Sequence, residues 1–362
     1  MRLFQSFSCY PAYRARIDRL TAGLTGFTDQ LAVFFADHYA SSHILLPIDQ
    51  GSPEAFFTNW DDPRLQRAWA KHAGLGDKVS LEHILLAQIE AHRTEVFYTI
   101  DPARLDNAFL KRLPGSVRRT IGWRAAPSTR STDFTAYDLI VNNFPSILAQ
   151  MQQAGHRTAY FAPSYDPAMD EFARNRDRPI DVMFVGTYSR HHRRRASLLE
   201  AVAGLTSECS VVMHLELSRL SRWAESPVGR ILPLDAHRRP SAIMAIAQPP
   251  VFGLDLYRTL SQAKIILNGA IDMAGGDRGN MRCFEAMGTG GLLLSDAGQY
   301  PDGMSDGTTL VSYADEGGAV SAIRRLLADL TDSAAIANRG HAMVSNRYSK
   351  ERQWLQFQAL AG

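Results

Sequence analysis

Cysteine is scarce in this chain, and so is lysine. The 362 residues hold three cysteines, and only 5 of the 39 lysine and arginine residues are lysine. Cys9, Cys209 and Cys283 are odd in number and far apart, which excludes a disulfide framework and suits a reducing compartment. No CxxC pair and no Cys/His group at zinc spacing occurs, so no metal centre is expected. A large charge of one sign is also missing. The formal net charge is +2, so overall electrostatics give no reason to expect a nucleic-acid partner. No apolar run approaches the roughly 20 residues a membrane span needs, and the first residues lack the long apolar core of a cleavable signal. A cytoplasmic protein is expected, with peripheral contact at the inner face of the cytoplasmic membrane still open. The G-x-S-x-G elbow, the GxxxxGK[ST] loop and an early GxGxxG are all absent, which argues against hydrolase, P-loop and dinucleotide chemistry.

What is present is an alternation of short apolar runs with amphipathic stretches, the pattern of parallel sheets covered by helices. Single cores stop growing at about 250–300 residues, so this length implies two domains. Strands are expected at residues 2–7, 95–101, 118–123, 137–143 and 157–163. A serine-capped helix is expected from Ser80. Residues 163–179, polar and holding two prolines, read as a hinge between residues 1–162 and 180–345. The strand pattern restarts with "DVMFVGTYS" and returns in "CSVVMHL", "AKIILN", "GGLLLSD" and "TTLVSY". A final helix within residues 346–362 is expected to pack back toward the first domain.

The chemistry-bearing stretch is "GGDRGNMRCFEAMGTGGLLLSD", residues 275–296. A glycine-rich loop leading into a helix aims backbone N–H groups and the positive helix end at one place, which suits a diphosphate. Asp277 in the loop and Glu285 two helical turns on would accept hydrogen bonds from sugar hydroxyls. Arg278, Asn280 and Arg282 would complete a pocket for a ligand with both phosphate and sugar. Two readings stay open on these residues alone, because Glu285 could equally be a solvated helix acid and the glycines could simply close a turn. Gly186 and Thr187 open the turn after the second domain's first strand. In "SRHHRRR" one arginine, Arg190 or Arg194, would neutralise a leaving diphosphate, while the rest of the run is a solvated face. Asn268 ends a strand on the ligand side of such a sheet, whereas Lys264 reads as exposed and Asp272 as a turn-former. In the first half, Asp101 follows a strand and could bind an acceptor or act as a base, with an Asp-Pro turn as the alternative. Asn142 and Asn143 carry the same ambiguity, and Asp37 with His38 is a minor candidate pair.

The same stretch resembles the donor-binding motif of GT-B glycosyltransferases, in which an acid, seven residues and a glutamate precede a small-residue turn and a buried strand. Asp277 and Glu285 have that spacing, with aspartate where the first glutamate usually stands. Residues 253–297 are similar to bacterial glycosyltransferases of the CgeB-like, group-1 type. The likeness extends through "IDVMFVGTYSRHHRRRASLLEA" and, less specifically, through "LQRAWAKHAG" and "YDLIVNNFPS". It implies a GT-B fold, two Rossmann-like domains with parallel sheets facing across a cleft. It implies a nucleotide-sugar donor, UDP-, GDP- or TDP-linked, on the second domain. The acceptor, a glycan, a lipid-linked molecule or a protein of cell-surface polysaccharide biosynthesis, would lie on the first. By the same resemblance Glu285 would contact the ribose, Asp277 the donor sugar, and Arg278, Asn280 and Met281 the diphosphate. Transfer would be metal-independent and retaining. An inverting enzyme with Asp101 as base, a sugar-nucleotide epimerase and a non-catalytic glycan-binding or assembly protein are the alternatives.

Overall fold

The structure, a computed structural model, describes residues 1–126, 133–189, 192–234, 237–269 and 275–362. The chain divides into two compact units, residues 1–164 with 350–362, and residues 165–349.

The first unit is built on six parallel strands: β1 (Leu3–Phe7), β2 (Ala55–Asn59), β3 (Val96–Thr99), β4 (Arg119–Trp123), β5 (Leu139–Asn142) and β6 (Thr158–Tyr160). Their order is β2-β1-β3-β4-β5-β6, so the chain reverses its direction of travel across the sheet between β1 and β3. All five residues of β1 are buried, as a central strand covered on both faces requires. Phe4, Phe97, Ile89 and Phe109 belong to one apolar cluster on this unit. The helix Leu81–Ala91 begins at Ser80, whose hydroxyl accepts the His83 N–H at 3.2 Å. The helix Pro63–His72 has proline in its first turn, and the Asp62 carboxylate caps Arg64 and Leu65.

Residues 350–362 close this unit. The Lys350 ammonium is buried and donates to the carbonyls of Ser41 and Ile44, both at 2.9 Å. Gln353 donates to Ser42 and Ala162, and the Phe357 ring meets Tyr98 and Phe161.

The second unit repeats the scheme with β7 (Ile180–Thr187), β8 (Val211–Glu216), β9 (Ala247–Gln248), β10 (Ala263–Leu267), β11 (Leu292–Asp296) and β12 (Val311–Tyr313). The order β12-β11-β10-β7-β8-β9 places the topological switch between β7 and β10. Ligands of such sheets bind outside the carboxyl ends of the strands at that switch. Residues 165–179 pack into this unit. Tyr165, Asp166 and Met169 are buried, and Met169 starts a one-turn helix, Met169–Ala173. The glycines of the opening motif have separate duties. Gly290 ends the helix Met281–Gly288 at φ +72°, a left-handed conformation that costs glycine little. At Gly288 a side chain would strike the sulfur of Met169.

Candidate functional site

The carboxyl ends of β7 and β10 are joined by an arginine. The helix Arg193–Ala203 follows β7, and Arg195 lies on its buried face, one turn before Leu198 and Leu199. Its guanidinium donates to the Gly269 carbonyl from Nε at 3.0 Å and Nη2 at 2.6 Å, and to the Thr187 hydroxyl at 3.4 Å. Sequence reading named its neighbours instead. Arg194 is exposed, and Arg190, like Asp272, lies outside the described residues. The signal that marks Arg195 is helical phase, since it shares the i, i+3, i+4 stripe with the core leucines.

The glycine-rich loop is folded around its own arginine. Arg278 is 9% exposed and donates to the carbonyls of Gly275 at 3.0 Å and Asp277 at 2.9 Å, and it forms an ion pair with Asp296 at 2.7 Å. Asp277 is buried and pairs with Gln299 through an isolated parallel bridge. Asn268 is buried too, and its amide is used internally. It donates to the Ser295 hydroxyl at 3.0 Å and accepts from the Asn280 amide at 3.1 Å. The Asn280 side chain is thereby turned to the strand end and does not cap the helix Met281–Gly288, whose first turn holds no acid. An eight-residue helix therefore starts at the switch point with its positive end uncapped by side chain or acid. Met281 and Arg282, in its first turn, are half-buried, as are Gly186 and Thr187 on β7.

Glu285 is 7% exposed and forms an ion pair with Arg282 at 2.7 Å, one helical turn away. Its charge joins that of Asp166 in raising the Tyr257 hydroxyl pKa, after the larger effect of burial. His214 on β8 is held to the Pro249 carbonyl at 2.7 Å. Burial lowers its pKa, and the Arg282 charge lowers it further. Sequence reading gave His214 no role.

A cavity of about 710 Å³ opens at the carboxyl ends of β10, β11 and β12. Arg194, Arg195, Arg278, Asp296 and Asp315 line it. The structure thus brings Arg194 and Arg278 to the lining of one cavity, whereas Glu285, Asn280 and Arg282 are not among its lining residues. Asp315 also caps the helix Glu316–Ala328 through the Gly318 N–H. Lys264, read as exposed, instead forms a half-buried ion pair with Asp181 at 2.6 Å. Among the described residues no cluster of three or more His, Cys, Asp or Glu side chains could hold a metal.

In the first unit Asp101 follows β3 at that sheet's own switch point. Its carboxyl pairs with Arg104 at 3.3 Å, and the same guanidinium reaches Asp61 at 2.8 Å and lies over the Trp60 ring at 4.4 Å. Burial raises the Asp101 pKa, against the lowering effect of Arg104. Asn142 is committed to structure, donating to Arg124 O at 2.6 Å and accepting the Phe144 N–H at 2.8 Å. Asn143 beside it is buried as well. The Asp37 carboxylate is engaged by Arg16 and by the Tyr13 hydroxyl at 2.9 Å, while His38 sits at φ +54°.

Comparison with known proteins bears on both units. Residues 190–359 match a family model described as glycosyl transferase-like. No curated protein matches the chain. HepE of Anabaena, solved in complex with UDP and glucose, is 13% identical over 99% of each chain, with a TM-score of 0.60. Sucrose-phosphate synthase of Thermosynechococcus elongatus is 14% identical over 99% of this chain and 98% of its own, at a TM-score of 0.54. A glycosyltransferase of Rickettsia africae is 10% identical over 99% and 97%, at 0.57. At such identities the structural likeness shows the fold, two parallel α/β sheet units of the GT-B type. The class shown is therefore one of fold, the GT-B type, and the likeness to the glycosyl transferase-like family extends over most of the second unit.

Proposed function

We propose that the chain transfers a sugar from a nucleotide-sugar donor to a bacterial glycan, lipid-linked or protein acceptor in cell-surface polysaccharide biosynthesis, without a metal and with retention at the anomeric carbon. The observation that carries this reading is the uncapped, acid-free start of the helix Met281–Gly288 beside the β7–β10 switch, with Glu285 on that helix. Backbone N–H groups there suit a diphosphate, and a buried carboxylate suits a ribose diol. UDP is the first nucleotide to try, because HepE holds UDP and glucose. Arginine and helix-end amides would stabilise the departing diphosphate, so a divalent cation has no required role in this reading. Retention needs no base from the protein, because the leaving phosphate can take the acceptor's proton. A second reading is inversion with Asp101 as base. Its support is the burial that raises the pKa of that carboxyl and makes it a better proton acceptor once ionised.

The test is a thermal-shift screen against UDP, GDP, TDP and their sugars. A ligand that binds only the folded state raises Tm. One nucleotide should stabilise the wild type and fail to stabilise Glu285→Ala. Equal stabilisation of both proteins would remove Glu285 from the donor site, and turnover of the nucleotide sugar with no acceptor present would favour an epimerase.

A further inference from the structure

Soluble surfaces hold apolar side chains singly, and a cluster of large ones marks a contact with something else. Twelve large hydrophobic side chains are exposed among the described residues, and six of them fall within residues 220–244. All six, Leu220, Trp223, Val228, Ile231, Leu232 and Met244, lie in the connection between β8 and β9. Ile231 is 83% exposed, the most of any large hydrophobic side chain described.

The connection is folded, and two of its arginines, Arg238 and Arg239, are half-buried and bonded within it. The short helix Arg219–Ala224 starts at Ser218, whose hydroxyl accepts the Ser221 N–H at 3.0 Å. Gly229 crosses the end of that helix so closely that a side chain there would overlap the Trp223 carbonyl. Arg238 then ties the lobe together from within, donating to the carbonyls of Ala224 at 3.2 Å, Gly229 at 2.6 Å and Leu232 at 2.6 Å. Arg239 holds Glu225 through two charged bonds of 2.8 Å and 2.7 Å. The large apolar side chains named above face water. Leu220 and Trp223 stand three apart on one helix and so share a face.

Charge decides what covers that face. Residues 218–234 contain three arginines, Arg219, Arg222 and Arg230, and one acid, Glu225, which Arg239 already holds. Arg219 and Arg222, both exposed, form no ion pair with any described residue. Exposed apolar side chains, an indole among them, with arginines on the same short stretch of chain are what an anionic lipid surface recognises. A second copy of this chain fits less well, because a two-fold contact would set the arginines of one lobe against those of the other.

We propose that the β8–β9 lobe is a docking surface for an anionic phospholipid bilayer. It leaves the second sheet at the carboxyl ends of the strands, the edge that carries the candidate donor site. Docking there would present that edge to acceptors carried on a lipid. The surface does not depend on the donor reading, and its test uses no nucleotide.

The full-length protein is sedimented with vesicles of phosphatidylcholine containing one quarter phosphatidylglycerol, and with vesicles of phosphatidylcholine alone. It should pellet with the anionic vesicles and lose that binding as salt is raised. Trp223→Ser with Ile231→Ser should weaken partitioning by about tenfold or more. Arg219→Ser with Arg222→Ser should abolish the preference for anionic vesicles. All of these positions are exposed, so Tm should stay unchanged, and Ile231→Ser alone serves if the double variant folds poorly. The proposal is overturned by a wild type that stays in solution with anionic vesicles, or by pelleting indifferent to these substitutions. Variants that change the oligomeric state without lipid would also overturn it, by making the lobe a contact between copies.

Discussion

Arg195 binds the Gly269 carbonyl with two nitrogens of its guanidinium, at 3.0 Å and 2.6 Å, and so ties the helix after β7 to the end of β10. These two strands flank the switch point, so the geometry of the candidate donor site rests on this link. Hydrogen bonds from charged donors contribute about 1.5–3 kcal/mol when buried. Arg195→Ala should therefore cost the second unit about 2 kcal/mol, lowering its Tm by about 4–8 °C. Arg194→Ala, exposed on the neighbouring position, should leave Tm within a degree or so of the wild type. Calorimetry of the two variants checks the contrast. An equal shift in both would mean that Arg195 does not hold this edge.

Much of the fold was legible because buried parallel strands are near-continuous apolar runs. "DVMFVG", "AKIIL" and "GLLL" can hardly be anything else, and the Ser80 cap stands where its helix begins. Strand β2, "AFFTN", went unread because two phenylalanines between polar neighbours carry little periodicity, and only its pairing with β1 defines it. The stretch 163–179 looked like a linker by composition, yet Tyr165 and Met169 are buried through contacts with residues more than a hundred positions away, including Gly288. Partners at such separations leave no local trace. The same limit applied to Asn268, whose amide is used by Ser295 and Asn280, and to Lys264, whose partner Asp181 is 83 residues away.

Asp101 supplies a pH test. Burial raises its folded-state pKa above the ordinary 3.8, with Arg104 pulling the other way. The unfolded chain loses this proton first as pH rises, so between 3.8 and the higher folded value the native state holds more protons. Stability contributed at this position therefore falls as pH rises through that window and stays lower above it. Asp101→Asn has no such proton to lose. Its Tm relative to the wild type should improve as pH is raised from 3.8 toward neutrality, after each protein is compared at equal pH. A difference that is flat across the window, or that moves against the variant, would contradict the raised pKa. The same variant reports on chemistry, because an inverting enzyme would lose turnover by about a hundredfold or more without its base.

His43 gives the opposite sign. Its ring lies against Trp123 at 4.5 Å, and burial, aided by the Lys350 charge, lowers its pKa from 6.5 to about 4. The unfolded imidazole takes up a proton as pH falls through 6.5, while the folded one stays neutral until about 4. Stability is thus fully present above 6.5 and is lost as pH falls across that window. The loss from this one group amounts to about 3 kcal/mol at the acid end. His43→Phe keeps an aromatic ring for Trp123 and cannot titrate. Urea unfolding of the two proteins at neutral pH and near pH about 4.5 should show the wild type losing roughly 2–3 kcal/mol more than the variant. Parallel losses in both proteins would mean that the imidazole is solvated or already charged in the folded state, and that the first unit's acid sensitivity arises elsewhere.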